Sequence, residues 1–331
     1  MPGRAAQTAV VRNEEIRGYG SAALRILAVA AVYYGSAELG LLLQLVRGQV
    51  TPLWPPTGVA LAALLVLGLR IWPGIALGAL LVNLPIGPSL PAVLAITAGN
   101  TLAPVCAYLM LRRAGFRTEL DRLRDGLALV FLGALAGMLI SSTVGTGVLV
   151  LAGAVEGGDF WPTWSVWWTG DAMGVLVVTP LLLVLRRIRW PRGAGAGRWA
   201  EAVALLVSTL LVMLLATTAS ATLLFLAFPV LIWAAFRFRL AGAAPCALAV
   251  STMAILAAAH GRGPFAGQDL FSSMVTLQAF NGSTALTALL LSAVITERNA
   301  THEEIKRVCA RLEEIVADIE PRDGDDRPAG G

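Results

Sequence analysis

Charge is scarce in this chain of 331 residues: 14% are Asp, Glu, Lys or Arg, against about 25% in a soluble globular domain. Hydrophobic residues make up 57%, where a soluble domain has roughly 45–50%, and the mean hydropathy is +0.74. This composition excludes a soluble fold and defines an integral membrane protein. Cysteine and histidine are also few. Cys106, Cys246 and Cys309 are scattered, two of them inside apolar runs, which excludes a disulfide framework and a cysteine metal cluster. The two histidines, His260 and His302, stand too far apart to suggest a metal site, and no phosphate-cradling loop is present. No cofactor is expected. The net charge of +4 comes almost wholly from Arg in short connections between apolar runs, where it orients helices rather than binding nucleic acid.

Apolar sequence fills most of the rest. After a charged opening (Arg4, Arg12, Glu14, Glu15, Arg17), the run from Ser21 to Val46 is too long for a signal-peptide core of roughly 7–15 residues. It reads as a first span. Further apolar stretches fall at about 55–69, 71–87, 91–111, 126–151, 167–185, 200–218, 221–236, 240–259 and 271–296. Several are shorter than the roughly 20 residues a perpendicular helix needs. The expected fold is therefore an all-α polytopic transmembrane bundle of about 8–10 spans. The uncertainty in the count comes from 55–69 and 71–87, which meet at a corner near Arg70 and read either as two tilted helices or as a re-entrant hairpin.

Charge placement orients the bundle. Arg112, Arg113, Arg117, Arg122 and Arg124 crowd one loop; Arg186, Arg187, Arg189, Arg192 and Arg198 a second; Arg237 and Arg239 a third. All fall on one side if both termini are cytoplasmic, and the loops 83–89 and 156–164 on the opposite side carry no Lys or Arg. The expected organisation is a cytoplasmic segment 1–20, a membrane domain 21–297, a short cytoplasmic helix 298–320 and a disordered tail 321–331. In the helix, Ile305, Val308, Leu312, Ile315 and Ile319 recur at alternating three- and four-residue spacing, the stripe of a coiled coil. Two heptads are fewer than such a seam ordinarily shows, so a surface amphipathic helix is the competing reading. The tail after Glu320 lacks the apolar residues for a core, and no catalytic output domain is expected after it.

Polar residues inside apolar spans are the candidates for function. An ionisable group at a helix centre in a bilayer costs on the order of 2.5–3.5 kcal/mol, so it tends to face a partner or a cavity. Glu38 lies in the first span, Asn83 and Asn100 end or interrupt later ones, Asp171 opens the sixth, and Gln278 and Asn281 sit in the last. Plainer readings compete: Glu38 reaching the headgroups, and Asp171 complementing a helix N-terminus. Trp54 with Pro55 and Pro56 can hold the entry to a span rigid. Trp161, Trp164, Trp167 and Trp168 suit interfacial anchors. The pairs Gly74/Gly78 and Gly133/Gly137 allow close helix approach. Ser141, Ser142 and Thr143 have no His or acid near them in sequence that would make a nucleophile, and no enzymatic activity is expected.

In order along the chain stand Leu53-Trp54-Pro55-Pro56-Thr57-Gly58-Val59-Ala60-Leu61, Trp72-Pro73-Gly74 with Gly78 and Asn83, Ala98-Gly99-Asn100-Thr101-Leu102, and Trp167-Trp168-Thr169-Gly170-Asp171-Ala172-Met173-Gly174 with Thr179-Pro180-Leu181. This combination resembles the first membrane-associated sensor (MASE) domain family of bacteria, over roughly residues 20 to 298. The resemblance implies a multi-pass sensor region of the bacterial cytoplasmic membrane, which in relatives precedes histidine kinase, PAS or diguanylate cyclase modules. It marks Trp54, Pro55, Pro56, Thr57, Asn83, Asn100, Trp168 and Asp171 as candidate sensing residues, with no ligand specified; Glu38 joins them as an ionisable residue within the first span. A sensor is then expected to act through the helix after residue 298, as a homodimer or on a separate cytoplasmic or membrane signalling partner. A small-molecule transporter and a structural scaffold are the alternatives.

Overall fold

The computed structural model describes residues 3–42, 51–187, 196–219 and 223–319. The tail 321–331 and the stretch 43–50 at the end of the expected first span lie outside the described residues. Of the described residues 86% are helical and none lies in a strand. Among the described residues seven helical segments are long and apolar enough to cross a membrane: Gly20–Leu41, Leu90–Arg113, Leu123–Leu151, Gly157–Arg187, Ala196–Thr218, Leu240–Phe265 and Phe271–Val316. Three shorter apolar segments, Pro55–Leu67, Leu69–Asn83 and Leu224–Phe238, complete the set.

In chain order the α-helices are α1 (Gly3–Leu41), α2 (Pro55–Leu67), α3 (Trp72–Asn83), α4 (Leu90–Arg113), α5 (Leu123–Ala128), α6 (Leu139–Leu151), α7 (Phe160–Met173), α8 (Thr179–Arg187), α9 (Ala196–Thr218), α10 (Ala227–Phe238), α11 (Leu240–Ala259) and α12 (Leu270–Ile319). α5 and α6 form one span interrupted by π-helical turns at Leu129–Ala136, and α7 and α8 another interrupted at Gly174–Val178. The two π-helical stretches pack on each other and on the helices around them. Such insertions are frequent at functional sites because they re-aim side chains within an otherwise regular helix.

α2 is the central element. Its 13 residues rise only about 20 Å, short of the roughly 30 Å hydrocarbon core. Most of it is buried between α1, α4, α7 and α8. Pro55 and Pro56 open it where missing N–H groups cost nothing, since first-turn donors have no partner within the helix. It ends at Gly68, whose φ of +84° lets the chain turn into α3. α3 then packs on α1 through its glycines: a Cβ on Gly74 would collide with the Ile26 carbonyl, and one on Gly78 would lie 2.8 Å from Tyr33 Cβ. With lipid as apolar as leucine, close packing of this kind holds membrane helices together.

α7 begins at Phe160, earlier than the apolar run suggests, because Pro162 is compatible with a first turn and the aromatic residues continue the helix. Asp171 therefore does not open a span but lies in the last turn of α7. α12 is one continuous helix of 50 residues, about 75 Å long, joining the last span to the expected signalling helix without a break. Ile305, Val308, Leu312 and Ile315 are all about half exposed along it.

Candidate functional site

The segment 51–54, before α2, is irregular backbone buried inside the bundle: Thr51 is 3% and Leu53 1% exposed. Backbone of this kind is tolerated at membrane depth only if its polar groups find partners within the protein. They do so within the segment and on two neighbouring helices. The Trp54 N–H donates to the Gly170 carbonyl of α7 (3.0 Å), the Thr51 hydroxyl donates to the Leu53 carbonyl (2.8 Å), and Gln278 Nε2 of α12 donates to the Pro52 carbonyl (3.3 Å).

Glycine makes this arrangement fit. A Cβ at Gly170 would collide with the Thr51 carbonyl oxygen, one at Gly174 with the Trp54 carbonyl oxygen, and one at Gly58 with the Gly174 carbonyl oxygen. The start of α2 and the end of α7 thus meet backbone to backbone. Thr179, just past the π-helical turns, adds a hydrogen bond from its hydroxyl to the Gly58 carbonyl (3.0 Å).

Asp171 sits at this crossing, 2% exposed. Thr57 of α2 donates to its Oδ1 (2.7 Å) and Ser141 of α6 donates to its Oδ2 (2.5 Å), with Trp167 in the wall of the same cavity. Among the described residues it has no ion-pair partner. Hydroxyl donors from two neighbouring helices therefore do the work a buried cation would otherwise do. Tyr33 of α1, 2% exposed, packs in the same cluster as Trp54.

Asp171 borders a cavity of about 40 Å³ whose walls include Thr51, Trp54, Asn83, Asn100 and Trp167. Asn83 is 8% exposed and donates Nδ2 to the Ala79 carbonyl (2.8 Å). Asn100, 9% exposed, makes no side-chain hydrogen bond to the described protein and faces the cavity unpartnered. A buried water needs roughly 10–15 Å³ of such space, so this conformation accommodates a few waters or a small ion. A drug-sized ligand, which needs about 300–1,000 Å³, would require the walls to move. Asn100 lies ten residues into α4, about 15 Å along its axis, which places the cavity floor near half the depth of the apolar core.

Of the residues the sequence singles out, Trp54, Thr57, Asn83, Asn100 and Asp171 come together here, with Pro55 and Pro56 opening the helix behind them. Trp168 stands one helical step away: it donates Nε1 to the Leu135 carbonyl (2.8 Å) in the π-helical stretch before α6 and stacks on Trp164 (5.5 Å between centroids). Trp164 in turn donates to Thr143 (3.0 Å). Glu38 is not in the cavity; it is exposed on α1 and hydrogen-bonded by Tyr34. Ser141, Thr51, Trp167 and Tyr33 belong to the site although the sequence does not single them out for it. Their only sequence signal is polarity within or beside apolar runs. Ser141 does have an acid at its side, thirty residues on in the chain, but no histidine bonds to either group. Among the described residues no group of His, Cys, Asp and Glu gathers as a metal site.

The structure is thus a many-span helical bundle with a hydrogen-bonded acid buried beside a small polar cavity. The MASE1 family profile matches residues 24–299, the greater part of the chain, and the chain belongs to that family of membrane sensory domains. No curated protein and no solved structure matches it.

Proposed function

We propose that the chain is a non-catalytic sensor of the bacterial cytoplasmic membrane, with both termini cytoplasmic, in which occupancy of the Asp171 cavity biases the position of α12. Positive charge at Arg112, Arg113, Arg186, Arg187 and Arg237 favours that orientation, because basic connections are retained in the cytoplasm. The cavity then opens from the opposite face, where α3 ends and α4 begins. The ligand is a small polar molecule, an ion or water itself, held by the Asp171 carboxyl group and the Asn83 and Asn100 amides.

The observation that carries this reading is the Gln278 bond to the Pro52 carbonyl. It ties the buried segment 51–54, which forms a wall of the cavity, to the helix that leaves the membrane. A ligand that distinguishes two positions of that segment thereby distinguishes two positions of α12, and only such differential binding shifts a population. The exposed stripe Ile305, Val308, Leu312 and Ile315 supports pairing of α12 with a second copy or with a separate signalling partner.

Disulfide trapping in native membranes tests the reading. With Cys309→Ser and Cys106→Ser removed as competing thiols, Val308→Cys, Leu312→Cys and Ile315→Cys are expected to cross-link faster than Glu313→Cys. Asp171→Asn and Asn100→Ala are expected to change the Val308→Cys rate. Equal rates at all four positions, or a rate indifferent to both cavity variants, would remove the basis for the proposal.

A further inference from the structure

A second site lies at the other end of the bundle, the end that carries the arginines. The corner between α10 and α11 and the emerging turns of α12 enclose a groove of about 750 Å³ lined by Phe236, Arg239, Ile295, Arg298, His302 and Lys306, among others. Its charge is one-sided. The acid on its wall, Glu303, is engaged by Lys306 (3.2 Å), and neighbouring Arg237 is engaged by Glu201 (2.6 Å). Arg239 and Arg298 have no carboxylate within 4 Å among the described residues. Two guanidinium groups, each a planar fork suited to phosphate oxygens, thus face one groove uncompensated.

Arg239 also holds an unusual backbone. It terminates α10 and opens α11 at φ +53° and ψ −146°, a region that is close to glycine-only. Glycine would serve the turn better, so an arginine there is a poor choice for the fold alone. The groove's position identifies what its charge meets. Phe236, one turn before Arg239, is 62% exposed, and with Ile295 it makes one end of the groove apolar, on the segments that run into the membrane-spanning part of the bundle. The groove therefore begins at acyl-chain level and ends at headgroup level, and basic pockets between helices at such a boundary suit anionic headgroups.

We infer that the Arg239–Arg298 groove binds the phosphodiester headgroup of an anionic phospholipid from the adjoining leaflet. The lipid's phosphate would bridge the α10–α11 corner to α12 just where that helix leaves the membrane. Anionic lipid content would in this way set the resting position of α12, independently of the Asp171 cavity.

Native mass spectrometry of the intact purified protein tests this directly, with phosphatidylglycerol, phosphatidylcholine of the same acyl chains, and glycerol phosphate as probes. The unaltered protein is expected to retain phosphatidylglycerol at least tenfold better than phosphatidylcholine, with retention falling as salt is raised. Arg298→Gln and Arg239→Gly are each expected to lose most of that preference, and Arg112→Gln/Arg113→Gln, at the same end but outside the groove, to keep it. Because Arg239→Gly relaxes the backbone, its melting temperature should stay level or rise, which separates lost binding from lost folding. Equal retention of the two lipids, or a preference that survives Arg298→Gln and Arg239→Gly, overturns the site. Glycerol phosphate binding as tightly as the lipid overturns the assignment to a lipid.

Discussion

The meeting of α2 and α7 gives the sharpest quantitative prediction, because a single methyl group tests it. At Gly58 an added Cβ would coincide with the Gly174 carbonyl oxygen and lie 2.7 Å from Val178 Cβ. Both neighbours are anchored, one by helical backbone and the other by its own buried position, so neither can swing aside as a long side chain would. Overpacking at an unyielding contact costs typically about 1–3 kcal/mol. Separation of the helices would also strain the Trp54 bond to Gly170 and the Thr179 bond to Gly58, each worth about 0.5–1.5 kcal/mol net. Gly58→Ala should therefore destabilise by about 2–6 kcal/mol in total, the upper end applying if both bonds are lost. Gly147, in the middle of α6 with open space around its Cβ position, provides the control. There the same substitution should gain up to about 1 kcal/mol from helix propensity alone. Unfolding of the purified protein in mixed micelles by increasing SDS fraction measures both. Equal effects of the two substitutions, or a neutral Gly58→Ala, would refute the close approach of α2 to α7.

The hydrogen bonds to Asp171 predict a graded series. Thr57→Val keeps the side-chain shape but removes one donor, and should destabilise by about 1–3 kcal/mol if the carboxyl is left unsatisfied, or by about 0.6 kcal/mol if the bond has the average worth of an interhelical hydrogen bond in a membrane protein. Thr57→Ser should restore the unaltered value in the same SDS titration, and a Thr57→Val protein at least as stable as the original would argue against the bond. At the start of α12, Asp269 accepts from the Ser272 hydroxyl (2.6 Å) and backbone N–H (3.1 Å), which hold its carboxyl below the usual carboxylate range. A depressed folded value means the cap stabilises fully above the unfolded value near pH 4 and loses its effect as pH falls through the lower folded value. Amide exchange at residues 271–274 should accordingly be faster in Asp269→Ala than in the original at pH 7, with the two converging in strong acid; no difference at pH 7 would remove Asp269 as a cap.

Much of the helical layout is legible in the sequence because apolar runs and their punctuation reflect local physics. The corner near Arg70 and the start of the last apolar run near residue 271 mark element ends that the structure places within a few residues. The site is legible only in part, for a different reason. Thr57 and Asp171 each stand beside glycines in apolar surroundings, so their strangeness shows locally. Ser141 does not stand out, because its role comes from a partner in another span, and serine in a membrane helix ordinarily bonds its own backbone, as Ser142 does. Glu38 and Tyr33 show the limit on α1. Which of them faces inward is set by the rotation of α1 against Gly74 and Gly78 of α3, a tertiary fit that no pattern within α1 encodes. The early start of α7 was obscured because Trp161, Trp164 and Pro162 read equally well as a loop at the interface.

The central claim is that the Asp171 cavity and α12 are coupled through Gln278. Hydrogen exchange of amides 298–316, measured in the reconstituted full chain, tests it without presuming a dimer. A coupling of about 1–3 kcal/mol corresponds to a 5- to 150-fold change. The account predicts that Asp171→Asn alters exchange in this segment by at least about fivefold, and that in a Gln278→Leu background the same substitution has no effect. Exchange that ignores Asp171→Asn, or that responds equally with and without Gln278, would contradict the account.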